Sequence, residues 1–284
     1  MKSASELAAE QAAYWNGPGG QGWLASYERI QRSIGEIGTT ALAAAAARPG
    51  EHVVDIGCGT GGTTAALAQA VGPAGHVLGV DISETLIGAA RSHRLDNATF
   101  VVGDAATHPF KAGSYDLVFS RFGVMFFADP VAAFRNLHHA LKPSGRLVFV
   151  AWRTPRENPW GMVPVQAAAP FLPPLPRPGP EEPGQFSFGD RARVERILEE
   201  AGFAALRIEP IDRQIWMGGT VAEVVAHAGR FGPLARAVAG AEPAAIDKAK
   251  QAIAAALAPH QGPDGVTLPG ACWLVSAEPA KGRN

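Results

Sequence analysis

Val53-Val54-Asp55-Ile56-Gly57-Cys58-Gly59-Thr60-Gly61-Gly62-Thr63-Thr64 is the stretch on which the reading of this chain turns. β-Branched residues lead in, glycines follow at alternate positions, and Thr63 to Ala70 is helix-compatible. This is the pattern of a buried strand that ends in a glycine-rich turn and runs straight into a helix. Without a Cβ, Gly57, Gly59 and Gly61 can take positive φ and let the backbone lie against a ligand. The glycines alone fit two ligand classes, because Gly57, Gly59 and Gly62 also satisfy the G-x-G-x-x-G spacing of dinucleotide sites. Asp55 separates them. A carboxylate just before the first glycine repels a pyrophosphate, whereas it attracts the ammonium of an amino acid, so a methionine-bearing nucleoside fits better than NAD.

Asp55, Gly57, Gly59 and Gly61 follow the acidic-x-Gly-x-Gly-x-Gly order, and here the chain resembles the class I S-adenosylmethionine-dependent methyltransferases. The resemblance implies S-adenosyl-L-methionine as cofactor and S-adenosyl-L-homocysteine as product, with Cys58, Thr60 and Thr63 beside the glycines. A second βα unit, His76 to Asp81 with Ser83 as N-cap, puts Asp81 and Ile82 at the next strand tip. A carboxylate there can accept both ribose hydroxyls, a device that NAD sites share; a helix-terminal carboxylate is the alternative reading. After the third strand, Thr99 to Val102, the resemblance implies adenine contacts for Asp104 and Ala105, although an Asp after a strand is commonly a turn residue. The fourth strand, Tyr115 to Ser120, opens into Arg121-Phe122-Gly123-Val124-Met125-Phe126-Phe127, and Asp129-Pro130 begins a helix. In the family this loop passes beneath the sulfonium, which implicates Ser120, Arg121 and Phe122 with the cofactor and Met125 and Phe126 with the substrate. Some of these apolar residues are expected in the core.

Upstream, residues 4 to 14 read as a helix that Tyr14-Trp15-Asn16-Gly17-Pro18-Gly19-Gly20 breaks. A long helix then carries Leu24, Tyr27, Ile30, Ile34, Ile37 and Ala41 on one face. In the methyltransferase reading, Tyr14 to Trp23 forms a lid, with Tyr14 and Trp15 toward the substrate; both tryptophans serve equally well as helix packing. Downstream come strand Arg146 to Ala151, Trp152, Trp160, a proline-rich connection from Pro170 to Gly184, and a helix capped by Asp190. Strand Leu206 to Met217, a helical stretch over 220–258 and a last strand, Ala271 to Ser276, complete the chain. The pattern predicts an α/β, doubly wound, seven-stranded and mostly parallel Rossmann-like sheet. The resemblance supplies the order 3-2-1-4-5-7-6 with the last strand antiparallel. The organisation expected is a helical lid over 1–48, a core over 49–217, a helical cap insertion over 218–268, and the last strand and tail over 269–284.

With 284 residues, 47% hydrophobic, the chain can bury a full core. A net charge of -1 and the absence of a long basic run argue against nucleic acid as substrate. Neither a signal-peptide pattern nor a run of membrane-spanning length occurs, and Cys58 and Cys272 do not make a disulfide framework, so a soluble protein in a reducing cytoplasm is expected. No H-E-x-x-H or C-x-x-C points to a metal, and no G-x-S-x-G points to a hydrolase. If the acceptor needs a base, His108 and His227 are the histidines placed to approach the pocket, and Arg121 can anchor an anionic acceptor. Phe122, Phe126, Trp152 or Trp160 can supply aromatic walls for a small, partly hydrophobic acceptor. Within the superfamily the chain is most similar to ubiquinone and menaquinone biosynthesis enzymes, but it lacks their C-terminal signature, and the quinone substrate is not carried over. An NAD-dependent oxidoreductase and a non-catalytic cofactor-binding protein are the competing readings.

Overall fold

The computed structural model describes residues 2–174, 179, 181–229, 232–238 and 240–280. Within the proline-rich connection over 170–184, residues 175–178 and 180 therefore lie outside the described residues.

The chain opens with three helices, α1 (Ala4–Asn16), α2 (Pro18–Ala25) and α3 (Tyr27–Ala45). Ser3 and Glu6 close a capping box at the start of α1. Ile30, Ile34, Ile37, Ala41 and Ala45 give α3 its buried stripe. The long helix expected from Leu24 onward is thus split at Ser26, where the backbone leaves helical geometry, and Leu24 is 41% exposed on α2 rather than part of the stripe.

The alternating units follow as β1 (His52–Ile56), α4 (Gly62–Val71), β2 (His76–Asp81), α5 (Glu84–Ala90), β3 (Ala98–Val102), β4 (Tyr115–Arg121), α6 (Pro130–Ala140) and β5 (Leu141–Trp152). Asp129 caps α6 by accepting the N–H of Ala132, with Pro130 at the first helical position. Then come α7 (Pro159–Ala168), α8 (Arg191–Glu200), β6 (Phe203–Gly218), α9 (Val221–His227), α10 (Gly232–Val238), α11 (Pro243–Leu257), β7 (Gln261–Gly262) and β8 (Gly265–Pro279). The sheet runs β3-β2-β1-β4-β5-β8-β6, with β7 paired to β8. The first five strands are parallel, and β8 is antiparallel to β5 and to β6. This is the order the resemblance implies, with the two-residue β7 added.

The last strand is much longer than Ala271 to Ser276, because β7 and β8 form a hairpin around Asp264 that extends the pairing with β6. Pro210 is accommodated because β6 is an edge strand, on which a missing N–H costs no ladder bond.

The main core lies between sheet and helices, with Phe119, Phe134, Phe149 and Phe188 fully buried; side chains of this size contribute about 1.5–3 kcal/mol each. A second apolar cluster, including Ala168, Leu172, Val224, Ile253, Leu257 and Leu268, holds α7, α9 and α11 to the start of β8. Trp160 packs against both clusters.

Candidate functional site

The carboxyl ends of β1, β2 and β4 converge on the glycine turn, the edge at which open α/β sheets bind ligands. Gly57, Gly59 and Gly61 all have positive φ, at 65°, 56° and 84°. A Cβ on Gly57 would lie 2.7 Å from the Cα of Gly123, so the loops after β1 and β4 touch backbone to backbone. At Gly59 the nearest atom to such a Cβ is Nε1 of Trp23, at 3.8 Å, which leaves that peptide open on its ligand side.

Asp55 is fully buried. Its Oδ2 accepts the hydroxyls of Thr63 at 2.7 Å and Thr64 at 2.6 Å, both from the first turn of α4. Its Oδ1 is buried without a partner. Burial pushes its pKa up to about 6, against the pull of Thr64, Thr63 and the Arg121 guanidinium. A buried carboxylate oxygen without a partner is one that a hydrogen-bond donor, best a charged one, would satisfy.

Asp81, the residue expected at the ribose, also ties two loops together. Its Oδ2 accepts the N–H of Gly59 and its Oδ1 that of Ser83, each at 2.8 Å. It clamps the turn after β1 to the tip of β2, and burial raises its pKa against those bonds. Each carboxylate oxygen keeps a second lone pair for a ligand hydroxyl. Ile82 offers its carbonyl to the side chain of Asn16 at 3.0 Å. Asp104 forms an Asx turn, its Oδ1 accepting the N–H of Ala106 at 2.9 Å, and Ala105 is buried at the same corner. Thr60 gives its carbonyl to Nε2 of His93 at 2.9 Å, and Cys58 is buried, its thiol pKa raised well above the ordinary value by desolvation.

The β4 loop is pinned from beneath. Ser120 is fully buried, donates to the carbonyl of Ile56 at 2.8 Å and accepts the N–H of Gly123 at 3.2 Å, so it shapes the loop. Arg121 lies under α3, where Nη1 donates to Gln31 at 2.9 Å; burial pulls its pKa below the ordinary arginine value while Asp55 and Tyr27 raise it. Phe122 takes a φ of 64°, a strained conformation for an aromatic residue. Its ring stacks on Trp152 with centroids 4.5 Å apart and planes 11° apart.

Met125 proves to be core rather than pocket wall. It is 1% exposed, its sulfur accepts the N–H of Trp152 at 3.3 Å, and its carbonyl accepts from Gly184 and Ser187. Trp152 is likewise buried, at 4% exposed. Tyr14, Trp15, Trp23 and Phe126 form an aromatic group above the turn: Trp15 lies edge-on to Tyr14 at 5.3 Å, to Trp23 at 6.1 Å and to Phe126 at 5.0 Å. The end of α1 is fastened there by Ser83, which donates to the carbonyl of Trp15 at 2.7 Å, and by Asn16, which accepts the N–H of Glu84 at 2.8 Å.

The two histidines expected near the pocket lie on different elements, and the ring of His108 abuts Gly103 beside Asp104. His108 follows the β3 loop, edge-on to Phe110 at 4.6 Å, with burial lowering its pKa. His227 ends α9, its Nδ1 2.8 Å from the carbonyl of Glu223 on the same helix. Among the described residues there is no group of His, Cys, Asp and Glu fit to hold a metal ion.

Asn158 escaped the sequence reading. It is fully buried, and its amide bonds the carbonyls of Arg153, Thr154 and Ala271 while its carbonyl accepts from Trp160 and Ala271. Asn158-Pro159 reads as a helix start, which hides a side chain turned away from its helix.

A family model described as a methyltransferase domain matches residues 53–145. A demethylmenaquinone methyltransferase of Beutenbergia cavernae is 32% identical over 170 residues, covering 57% of this chain and 69% of that protein. One from Staphylococcus aureus is 32% identical over 171 residues, covering 57% and 71%. Among solved structures, the YcgJ protein from Bacillus subtilis is similar with a TM-score of 0.56 at 18% identity, covering 88% of this chain and 99% of that one. Phosphoethanolamine N-methyltransferase 2 of Haemonchus contortus, solved with phosphomonomethylethanolamine and S-adenosylhomocysteine, gives 0.52 at 19% identity, covering 86% and 52%. These structural likenesses concern the fold.

Proposed function

Because the chain belongs to the class I S-adenosylmethionine-dependent methyltransferases, we propose that it methylates a small, partly hydrophobic molecule at the edge where the glycine turn meets the β4 loop. S-adenosylmethionine is its cofactor. The residues present fit that group. The buried, unpartnered Oδ1 of Asp55 is the observation that carries the assignment, since it suits an ammonium and opposes a pyrophosphate. Asp81 offers its remaining lone pairs to ribose hydroxyls, and the peptides around Gly59 give the close approach. Ala105 and the Asx turn of Asp104 border the nucleobase end. When bound, the cofactor supplies a methyl group on a sulfonium, which leaves to the acceptor by in-line displacement.

The rest is the work of this chain's side chains. Positive charge is transferred and not created, so holding the acceptor in line is the main task, and such positioning is worth ~7–11 kcal/mol in favourable cases. Phe122, Phe126 and Trp160 provide apolar surface that excludes water. His108, packed on Phe110 at the nucleobase end, and His227, bonded within α9, are not assigned the role of base. The Tyr14–Trp23 segment serves as the lid. A net charge of -1 favours a small molecule over nucleic acid as acceptor. No helix among the described residues is long and apolar enough to cross a membrane, and two buried free thiols suit a reducing compartment such as the cytoplasm.

Calorimetric titration with S-adenosylhomocysteine beside NADH tests this reading. Saturable binding of the nucleoside alone, weakened by Asp55→Asn, is the expected result. Binding of NADH alone would overturn the assignment of Asp55.

A further inference from the structure

Two opposite charges on neighbouring strands are each without a counter-ion in contact among the described residues. Asp55 on β1 and Phe119 on β4 are register partners, and Arg121 is two residues beyond Phe119. The side chains of Asp55 and Arg121 therefore leave the sheet on one face, toward α4 and α3. Asp55 is fully buried with its Oδ1 bare. Arg121 is half-buried, and its Nη1 donates to the neutral Oε1 of Gln31 at 2.9 Å. A Cβ on Gly38 would come 3.0 Å from that Nη1 and 3.3 Å from Cδ of Arg121, so α3 is bare where the arginine lies.

A guanidinium keeps its charge at every ordinary pH, whereas Asp55 titrates. A buried carboxylate ionises only where charges or hydrogen bonds offset its desolvation. Around Asp55, Thr64 and Thr63 of α4 donate hydrogen bonds, Asp81 of β2 opposes ionisation, and the Cys58 thiol in the glycine turn is neutral. Arg121 of β4 is the cation that favours it, and Tyr27 of α3 acts on Arg121 in turn.

We propose that Arg121 is a positioning residue: from beneath α3 its charge holds Asp55 as a carboxylate ready for the cofactor's ammonium, and it does not itself touch the ligand. The proposal rests on the assignment of Asp55 above and adds to it the group that sets the pH range of binding. Gln31 serves the same end, since it anchors the guanidinium through a neutral oxygen and leaves the charge free to act on Asp55.

Calorimetric titration of the full chain with S-adenosylhomocysteine at pH 6, 7 and 8 tests this. Arg121→Met is expected to move the acid limb of the affinity profile upward by about one pH unit, the lower end of what a nearby opposite charge does. Relative to the wild type, affinity then falls about five-fold at pH 6 and about two-fold at pH 7, and is unchanged at pH 8. Arg121→Lys, which keeps the charge, retains most of the wild-type profile. Beside Asp55→Asn, Arg121→Met produces no pH-dependent change. Gln31→Glu places a carboxylate on the arginine and gives the same upward move with Arg121 present, which covers the case in which Arg121→Met does not fold. A loss of equal size at all three pH values would make Arg121 a direct contact of the ligand and overturn the proposal. An unmoved acid limb in either folded variant, Arg121→Met or Gln31→Glu, overturns it as well. Wild-type affinity that does not fall between pH 8 and pH 6 instead overturns the assignment of Asp55, and the proposal with it.

Discussion

Asp81, at the tip of β2, accepts the backbone N–H of Gly59 at 2.8 Å, so the second strand holds in shape the turn that ends the first. With its other oxygen on Ser83, Asp81 makes two charge-assisted bonds across two loops. Asp81→Ala is therefore expected to lower both stability, by about 2 kcal/mol, and affinity for S-adenosylhomocysteine. Urea denaturation and calorimetry read the two effects. A variant with weakened binding but wild-type stability would show that Asp81 serves the ligand alone.

Asp55 gives a pH dependence of definite sign. Its pKa in the fold is raised from 3.8 to about 6, so the folded state holds this proton more tightly than the unfolded chain. Its contribution to stability rises as pH falls from about 6 toward 4, and above that window the ionised, half-satisfied carboxylate weakens the ligand-free protein. Asp55→Asn should hence melt above the wild type at pH 7.5, with the gap closing by pH 5. Binding of S-adenosylhomocysteine to the wild type should decline through about pH 6 as the carboxylate is protonated. Affinity that stays level from pH 5 to 7.5 would remove Asp55 from the site.

Phe122 reverses the usual ranking of glycine and alanine. At an ordinary position glycine is the worse of the two by about 0.5–1 kcal/mol. At a φ of 64° an alanine retains the strain that a glycine relieves, while both lose the stack on Trp152. Phe122→Gly is expected to be the more stable variant by about 1 kcal/mol, measured by chemical denaturation. The opposite order would mean that the strained backbone relaxes once the ring is gone.

The end of α1 is held to the β2 tip by Asn16 and by Ser83. Asn16→Ala removes two of these bonds without touching the glycine turn. Faster release of S-adenosylhomocysteine in stopped-flow experiments is the expected outcome, with faster amide exchange confined to α1 and α2. An unchanged release rate would reduce Trp15 and Trp23 to helix packing.

The strand–glycine–helix unit and the succession of acidic strand tips were legible because each depends on neighbours in sequence: β-branched runs, glycines and N-caps. Asp55 was readable as buried and acidic, yet only the fold reveals that Thr63 and Thr64 take one oxygen and leave the other bare. Met125 illustrates the limit. Its apolar side chain after a strand is equally suited to a pocket or a core, and the choice falls to Trp152 and Ser187, which are distant in sequence. Asn158 could not be foreseen, since Ala271, which its side chain both accepts from and donates to, lies far along the chain on β8. The length of β8 was hidden for a similar reason, because the hairpin with β7 extends it beyond its apolar centre.

The cap carries its own apolar cluster, in which α7, α9 and α11 pack chiefly on one another and on the ends of β6 and β8. Under the proposed function, substitutions among these residues are expected to change which acceptor is taken while the parallel strands and the glycine turn, which contribute nothing to this cluster, keep their register.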